Sequence, residues 1–361
     1  VWTVSSRFEQ TIPLGHTLTT SITCTPPGGS PIALALSAGS WSGQSGQLIR
    51  RTAAITVDGG SQVHDLLSTP GAVVQVLHGF QWEGLSRELI PVITGELSSA
   101  ATTAGDGTVT ASIADLGQRV QRVGFPAAFT PDPAARRRDV LAQVISDAVP
   151  DVTITNSSSD TGLIGVAQAF TSRSDLVSSL LTDGGAEGFF LPDGTFTIRD
   201  VPQLTDQYAW LIKPGPGGTL KSLQRTRPLD KLYNAVRVTP SSADGSQTWD
   251  SVLVQITDPN DPRHPSKIGL SIKDYQSPTV LTLDEAVAVG QVILSKVTGN
   301  TESLALGSVS HPGLDAGDIV RVVATTDDGP TFITHLVDSF SGDLATGEMT
   351  LATRSAWDLS S

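Results

Sequence analysis

Six histidines, His16, His64, His78, His264, His311 and His335, are the residues of this 361-residue chain best suited to hold a metal or move a proton. Their spacing does neither. No pair stands as His-x-His or His-x-x-x-His, and none falls in His-Glu-x-x-His. A zinc peptidase needs such preorganised imidazoles. Convergence from distant strands is the rarer route, so each histidine reads as a surface or turn residue. Asp258, Asp261 and His264 crowd oxygens into one short loop, as a calcium ion prefers. Asp-Pro and Asn-Asp-Pro are also turn formers, and that is the favoured reading. Gly43-Gln-Ser-Gly-Gln47 lacks the last glycine of a nucleophile elbow and has no helix after it. No Walker-type phosphate loop is present. Asp327-Asp328 lies in a Gly-Pro turn and reads as solvated. No catalytic, cofactor-binding or metal-binding residue is therefore assigned, no cofactor is implied, and the chain is not expected to be an enzyme.

The elements that would have to position such residues are mostly strands. The chain carries 35 Gly and 22 Pro with 39% apolar residues, a composition of short strands and many turns. Its length suggests about two to four domains. A net charge of −13 argues against DNA as a ligand, which needs a basic face. It suits a soluble surface, or a channel wall that must not retain a polyanion. The single Cys24 excludes an internal disulfide framework and reads as an inert thiol. No apolar run reaches the roughly 18 residues of a membrane span, and no basic-then-apolar start resembles a signal peptide.

Strand candidates in the first third are 2–8, 18–24, 48–57, 72–77, 88–97 and 108–113. Pro26-Pro27-Gly28-Gly29, Asp58-Gly59-Gly60 and Gly105-Asp106-Gly107 separate them, which points to a barrel or sandwich. The middle changes character. Asp132 can cap a helix with Pro133 at its first position, and Val140, Leu141, Val144, Ile145 and Ala148 share one face. A second helix is expected after Ser172 or Ser174, presenting Leu176, Val177, Leu180 and Leu181 and stopped by Gly184-Gly185. Asp193-Gly194 then turns a hairpin. Pro214-Gly-Pro-Gly-Gly218 reads as the clearest linker. In the last third, strands are expected at 232–239, 251–257, 304–310, 319–325, 332–340 and 348–354. A helix opens at the capping box Thr282-Leu-Asp-Glu285. Arg50-Arg51 and Arg136-Arg137-Arg138 are the basic runs. The second opposes the helix dipole, which hints at an acidic partner, although a solvated face is the plainer account.

One turn stands out. In His311-Pro-Gly-Leu-Asp-Ala-Gly-Asp-Ile-Val-Arg-Val-Val323, Pro312 and Gly313 start a turn and Gly317 supplies backbone freedom. Asp318 can accept a nearby amide before the strand begins at Ile319. The order helix, x-Pro-x-Leu-x-x-Gly-Asp-x-Val-x-Val, then further strands resembles the last tube-like domain of phage tail baseplate hub proteins. More narrowly it resembles the minor tail proteins of long-tailed actinobacterial phages. Other stretches carry the same likeness: Arg50-Arg-Thr-Ala-Ala-Ile-Thr-Val57, Leu66-Leu-Ser-Thr-Pro-Gly-Ala-Val-Val-Gln-Val76 and Glu88-Leu-Ile-Pro-Val-Ile-Thr-Gly-Glu-Leu97 resemble strands of the first hub domain. Thr108-Val-Thr-Ala-Ser-Ile-Ala-Asp-Leu-Gly-Gln-Arg-Val120 is similar to its exit. The run from Asp175 to Phe196 resembles the inserted domain, and the chain after Lys231-Leu-Tyr-Asn-Ala-Val-Arg-Val238 the second tube-like domain.

The resemblance implies a mainly β fold with two tail-tube-like β-barrel domains flanking a small α/β domain. The expected boundaries are 1–120, 121–218 and 219–361, with 219–240 free to pack with the first domain. It also implies a structural virion protein at the tail tip, assembled in the host cytoplasm. It would act as a homotrimer that closes the tail tube, adapts sixfold to threefold symmetry and lets DNA pass without binding it specifically. The implied partners are a distal tail protein or tube ring, the tape measure protein, and tail-tip fibre or receptor-binding proteins. Any wall-cutting part would lie on another protein. The rival is a carbohydrate-binding adhesion protein, in which Trp2, Trp41, Trp82, Trp210, Trp249 and Trp357 serve as stacking platforms.

Overall fold

The computed structural model describes residues 4–84, 86–102, 107–226, 233–240, 250–277, 282–298, 302–326 and 329–355. It opens with helix α1 (Ser6–Thr11) where a strand over 2–8 is expected. Ser5 accepts the amide of Phe8 as an N-cap, and Phe8 and Ile12, four apart, both bury. Strands β1 (Thr17–Thr25), β2 (Ile32–Gln44) and β3 (Arg51–Asp58), helix α2 (Gly60–Leu67), and strands β4 (Val73–Gln81), β5 (Glu88–Thr102) and β6 (Thr108–Asp115) follow. Alternation sets their inner faces: Arg51, Ala53, Ile55 and Val57 on β3, and Val74, Val76, His78 and Phe80 on β4, are buried. β1 pairs with β4 along its whole length and with β2 from Ile22–Leu34 to Cys24–Ile32. The other pairings complete a closed ring in the order β1-β4-β5-β6-β3-β2.

The same order returns later in the chain. Helix α3 (Gly117–Arg122) leads to a middle unit of α4 (Arg137–Ala148), β7 (Ile154–Asn156), α5 (Arg173–Asp183), β8 (Ala186–Phe190) and β9 (Phe196–Asp200). Beyond it come β10 (Trp210–Ile212) and β11 (Leu220–Thr226). Next is a small unit of β12 (Ala235–Pro240), β13 (Val252–Gln255), α6 (Pro265–Ile268), β14 (Ile272–Ser277) and α7 (Leu283–Thr298). The last strands are β15 (Glu302–Val309), β16 (Ile319–Thr326), β17 (Gly329–Asp343) and β18 (Glu348–Ser355). They run β10-β16-β17-β18-β15-β11. Counted by order of appearance, both paths read first, fourth, fifth, sixth, third, second. Two pairings differ: β10 runs parallel to β16, whereas β1 is antiparallel to β4, and among the described residues no β10–β11 ladder matches that of β1 and β2. The fifth strands, β5 and β17, are each 15 residues long. Each carries a bulge against its sixth strand, between Leu97 and Ser99 and between Val337 and Ser339. Leu97 faces Ile113 and Val337 faces Thr353, the same positions on β6 and β18.

A seam joins the two paths into one sheet. After its bulge β17 continues along β2, from Ser339–Gln44 to Asp343–Ser40. Phe340 lies opposite Gly43 and Trp41 opposite Gly342. A Cβ on Gly43 would stand 2.4 Å from Phe340, and one on Gly342 would stand 2.3 Å from Trp41. Each aromatic therefore lies flat across a bare backbone. No strand is expected over 32–44, where Gly39 and Gly43 interrupt the pattern.

Three apolar cores result: one shared by both strand paths, one in the middle unit around α4 and α5, and one where α7 covers β12. The strands expected at 232–239 and 251–257 form, with β14, a separate sheet rather than part of a barrel. Pro214–Gly218 is no linker. Gly215 and Gly217 hold φ of +81° and +68°, and the amide of Leu220 reaches Lys213, so the segment is the turn between β10 and β11. Helix α4 begins at Arg137, because Asp132 closes a local turn on the amide of Ala134 instead of capping. Ser172 does cap α5, and Thr282 and Glu285 exchange the reciprocal bonds of a capping box. The Gly105-Asp106 part of the first-block turn lies outside the described residues.

Gly342→Ala should lower stability by about 2–3 kcal/mol, because the backbone beneath Trp41 has no space for a methyl group. Chemical unfolding followed by tryptophan fluorescence measures this. A change under about 0.5 kcal/mol would contradict the seam packing.

Candidate functional site: a buried ion cluster joining three units

Arg51 opens β3 and Arg50 directly precedes it, yet their side chains are only 1% exposed. Alternation sends them to opposite sides of the strand, so each meets a different set of partners. Arg50 donates from Nη2 to the carbonyl of Ala316, lies 3.3 Å from Glu187 and 3.5 Å from Asp315, and stacks 3.5 Å from the Phe189 ring centre. Arg51 donates to the carbonyls of Val92 (3.0 Å) and Leu314 (3.3 Å) and pairs with Asp315 at 3.1 Å. The backbone amides of both arginines donate to one oxygen of Asp115, each at 2.7 Å, and Gly117 donates to the other at 2.9 Å. Glu187 is held in turn by Arg199 at 2.6 Å.

The cluster thus draws on the first strand ring (Arg50, Arg51, Asp115), the middle hairpin (Glu187, Phe189, Arg199) and the turn before β16 (Asp315 to Asp318). A buried charge without a partner is strongly unfavourable, and a paired one fixes position. Thr94 Oγ1 adds a 2.8 Å bond to the carbonyl of Pro192 at the hairpin tip.

The turn at Gly317 and Asp318 is part of this junction. Gly317 has φ of +82°. A Cβ there would stand 2.5 Å from Arg50 Nη2 and 2.9 Å from Arg199 Nη2. Asp318 Oδ2 accepts the amide of Asp315 at 2.7 Å, and its carbonyl accepts Val337. Burial raises the pKa of Asp318. Burial would raise that of Asp315 too, but the Arg51 and Arg50 guanidiniums hold it below the usual carboxylate range. Burial pushes Asp115 up to about 7, against the pull of three backbone N–H donors.

In sequence Arg50-Arg51 reads as a basic run at the start of a strand, and nothing there assigns a role to Asp115, Glu187, Arg199 or Asp315. One signal was present: Arg51 falls in phase with Ala53, Ile55 and Val57, on the apolar side of β3. The histidines also differ from expectation. His78, His311 and His335 are buried, and burial lowers each to about 4. His78 meets Thr20 and His335 meets Thr353, while His311 packs between Phe8 and Trp210. His264 caps α6, and Asp261 pairs with Arg263 at 2.7 Å, so that loop uses its polar groups for turns. Of the second basic run, Arg137 is bound by Asp160 at 2.7 Å. Among the described residues, no three His, Cys, Asp or Glu gather as a metal site. A cleft of about 340 Å3 beside the cluster is lined by Arg50, Glu187, Gly317 and Arg354 but by no histidine or cysteine. Trp41, Trp82 and Trp210 are all buried, so none is a sugar platform; Trp2, Trp249 and Trp357 lie outside the described residues.

No protein-family model and no curated protein matches the chain. Solved structures do. A tail protein from Neisseria meningitidis MC58 superposes with a TM-score of 0.67 at 11% identity, over 94% of this chain and 96% of that one. The 43 kDa tail protein of prophage MuSo2 from Shewanella oneidensis gives 0.61 at 14%, over 92% and 98%. Prophage tail protein gp18 from Listeria monocytogenes EGD-e gives 0.59 at 8%, over 92% and 94%. The chain has the fold of phage tail proteins. At these identities the likeness is one of fold.

Gly317→Ala should cost about 2 kcal/mol or more, through its positive φ and the crowding of two guanidiniums. Asp318→Ala should cost about 1–2 kcal/mol through the orphaned Asp315 amide, and Asp318→Asn less, since it keeps an acceptor. Denaturation midpoints rank the three; an Asn variant as weak as the Ala variant would contradict this role.

Acid should remove the stability that the buried histidines contribute. Each buried histidine has a folded pKa below its unfolded value, so its stabilisation is present above pH 6.5 and lost as pH falls toward 4. Asp115 works in reverse, with stability lost as pH rises through about 7. Asp318 and Asp338, which burial also raises, act with Asp115, so the slope near pH 5.5 is a balance to which each buried histidine adds a loss of stability on acidification. Neither ring nitrogen of His311 has a hydrogen-bond partner among the described residues. His311→Leu should therefore flatten the slope by about one proton. An unchanged slope would contradict a buried neutral His311.

Proposed function

We propose that this chain is a structural subunit of a phage tail, the hub of the baseplate or tail tip, acting as a homotrimer. The observation that carries the reading is the repeated strand order. One chain holds two six-stranded paths with the same connectivity and the same bulge, fused edge to edge. Three such chains supply six like units, which meet a sixfold tube on one side while keeping threefold symmetry on the other. The superposition on tail proteins over more than nine-tenths of the chain supports the same role.

In this reading 1–120 forms the first tube-like unit, 121–218 the inserted α/β unit, and 219–361 the bulk of the second. β10 crosses the second boundary to complete the second path. The small β12–β14 and α7 unit is an insertion within it. The ion cluster sets the angle between the units, and no chemistry is assigned to it. The partners are the tube ring or distal tail protein, the tape measure protein and the tail-tip fibres. DNA passes through the ring without specific binding, past a wall that is acidic to neutral. The narrower kinship proposed from the sequence resemblance is with the minor tail proteins of long-tailed actinobacterial phages.

Mass in solution tests the reading. The purified chain should give a particle of about 113 kDa, three times 37.6 kDa, by light scattering or native mass spectrometry. A monomer at every concentration up to assembly levels would overturn the trimer.

A further inference from the structure

The intrachain seam shows how one strand path joins the next, and the repeat supplies the same two edges once more, without a partner strand among the described residues. β2 is the second strand of the first path and β17 the fifth of the second. Their counterparts are β11, second in its path, and β5, fifth in its path. In the seam, Ser40, Trp41 and Ser42 of β2 lie opposite Asp343, Gly342 and Ser341.

The registers fix the equivalent residues. β3 and β15 align through their pairings with β6 and β18, since Thr52 faces Ala114 and Ser303 faces Arg354. Through them Ser40, Trp41 and Ser42 correspond to Gln224, Arg225 and Thr226 on β11. In the same way Ser339, Phe340, Ser341 and Gly342 correspond to Ser99, Ala100, Ala101 and Thr102 on β5.

Both counterpart edges lack a strand among the described residues. β5 pairs with β4 only up to Glu96, and beyond the bulge its pairing is with β6 alone. β11 pairs along one edge with β15, and only the Leu220 amide reaches toward β10. Exposure agrees. Every residue of 221–226 is exposed, as are Ser98, Ser99, Ala101 and Thr102, whereas Trp41 and Phe340 in the seam are 1% and 3% exposed. An open strand edge presents a row of unpaired N–H and C=O groups that templates another strand.

We propose that β11 of one copy pairs antiparallel with the second half of β5 of the next copy, with Thr226 opposite Ala101 and Arg225 opposite Thr102. The partner is a second copy of this chain, and the inference rests on the trimer proposed above. Three copies then close a ring with six seams, alternately within and between chains. The facing residues fit. Where the inner seam sets Trp41 over Gly342, the outer one sets long Arg225 against Thr102, and Thr226 against small Ala101. Arg225 is already oriented by a 2.7 Å pair with Glu302.

Thiol crosslinking with a short bismaleimide tests the register. Thr226→Cys and Ala101→Cys, made as single variants and mixed, should give a covalent dimer, and the double variant a ladder ending at the trimer. Each single variant alone should stay monomeric on a denaturing gel, which also controls for buried Cys24. Ser42→Cys/Ser341→Cys is the calibrating pair, because it sits at the equivalent positions of the inner seam and should crosslink within one chain. Arg225→Cys/Thr102→Cys repeats the measurement if the first pair fails to fold. A trimer by mass with no interchain product from either pair overturns this seam and leaves the trimer standing. A monomer by mass overturns both.

Discussion

The molecule depends on β17 changing partners. Up to Leu336 it pairs with β16. An extra residue at Asp338 then turns its edge, and from Ser339 onward it lies along β2 of the other path. A bulge adds local twist and redirects a strand, so one inserted residue decides that two strand paths share a sheet. The core follows from that sharing. Phe340 and Trp41 cross the seam in opposite directions, each over a glycine, and the apolar cluster runs unbroken from Phe8 to Leu351. Without the change of partner there would be two separate small cores, each burying a smaller share of its chain.

The ion cluster is the second constraint, and it works differently. The seam fixes two units by apolar packing and backbone pairing. The cluster fixes the third by charge. Arg50 reaches the middle hairpin through Glu187 and Phe189 and reaches the turn before β16 through Asp315 and Ala316. Buried ion pairs are weak sources of stability but strong sources of specificity in position, because any other docking leaves charges unpaired. Gly317 belongs to this logic: its missing side chain is the space that Arg50 and Arg199 occupy.

The sequence was most legible where local chemistry and burial agree. Ser172 capping α5, the Thr282–Glu285 box and the Asp193-Gly194 hairpin stand where their residue types demand. It was least legible where tertiary contacts override local preference. β2 carries Gly39 and Gly43 because Leu344 and Phe340 need the space, yet glycine in a strand reads as a break. α2 opens on Gly59-Gly60, a pair that reads as a turn, and is hidden for the same reason. Pro214–Gly218 has the composition of a linker because a turn with repeated positive φ uses the same residues. The β12–β14 sheet was read as barrel because periodicity reports that a strand is half buried, never against what.

The candidate site was legible only in part, for a related reason. Gly317 and Asp318 form a local turn, and local turns leave a local signature. Arg50 finds its partners 137 and 266 residues away, and Asp115 meets Arg50 and Arg51 across 65 and 64. Long-range charge pairing leaves no spacing pattern in a sequence. What it leaves is a charge in phase with apolar neighbours, as Arg51 is with Ala53, Ile55 and Val57. A lone charge on an apolar stripe will either reach the strand edge or be buried with a partner. Two adjacent arginines cannot both face outward from one strand, since successive side chains point to opposite faces. At the entry to β3, where the chain is covered on both sides, Arg50-Arg51 therefore demands two buried acceptor sets on opposite faces. The junction supplies them, with Ala316 and Glu187 on one side and Val92 and Leu314 on the other, and Asp315 placed within reach of both.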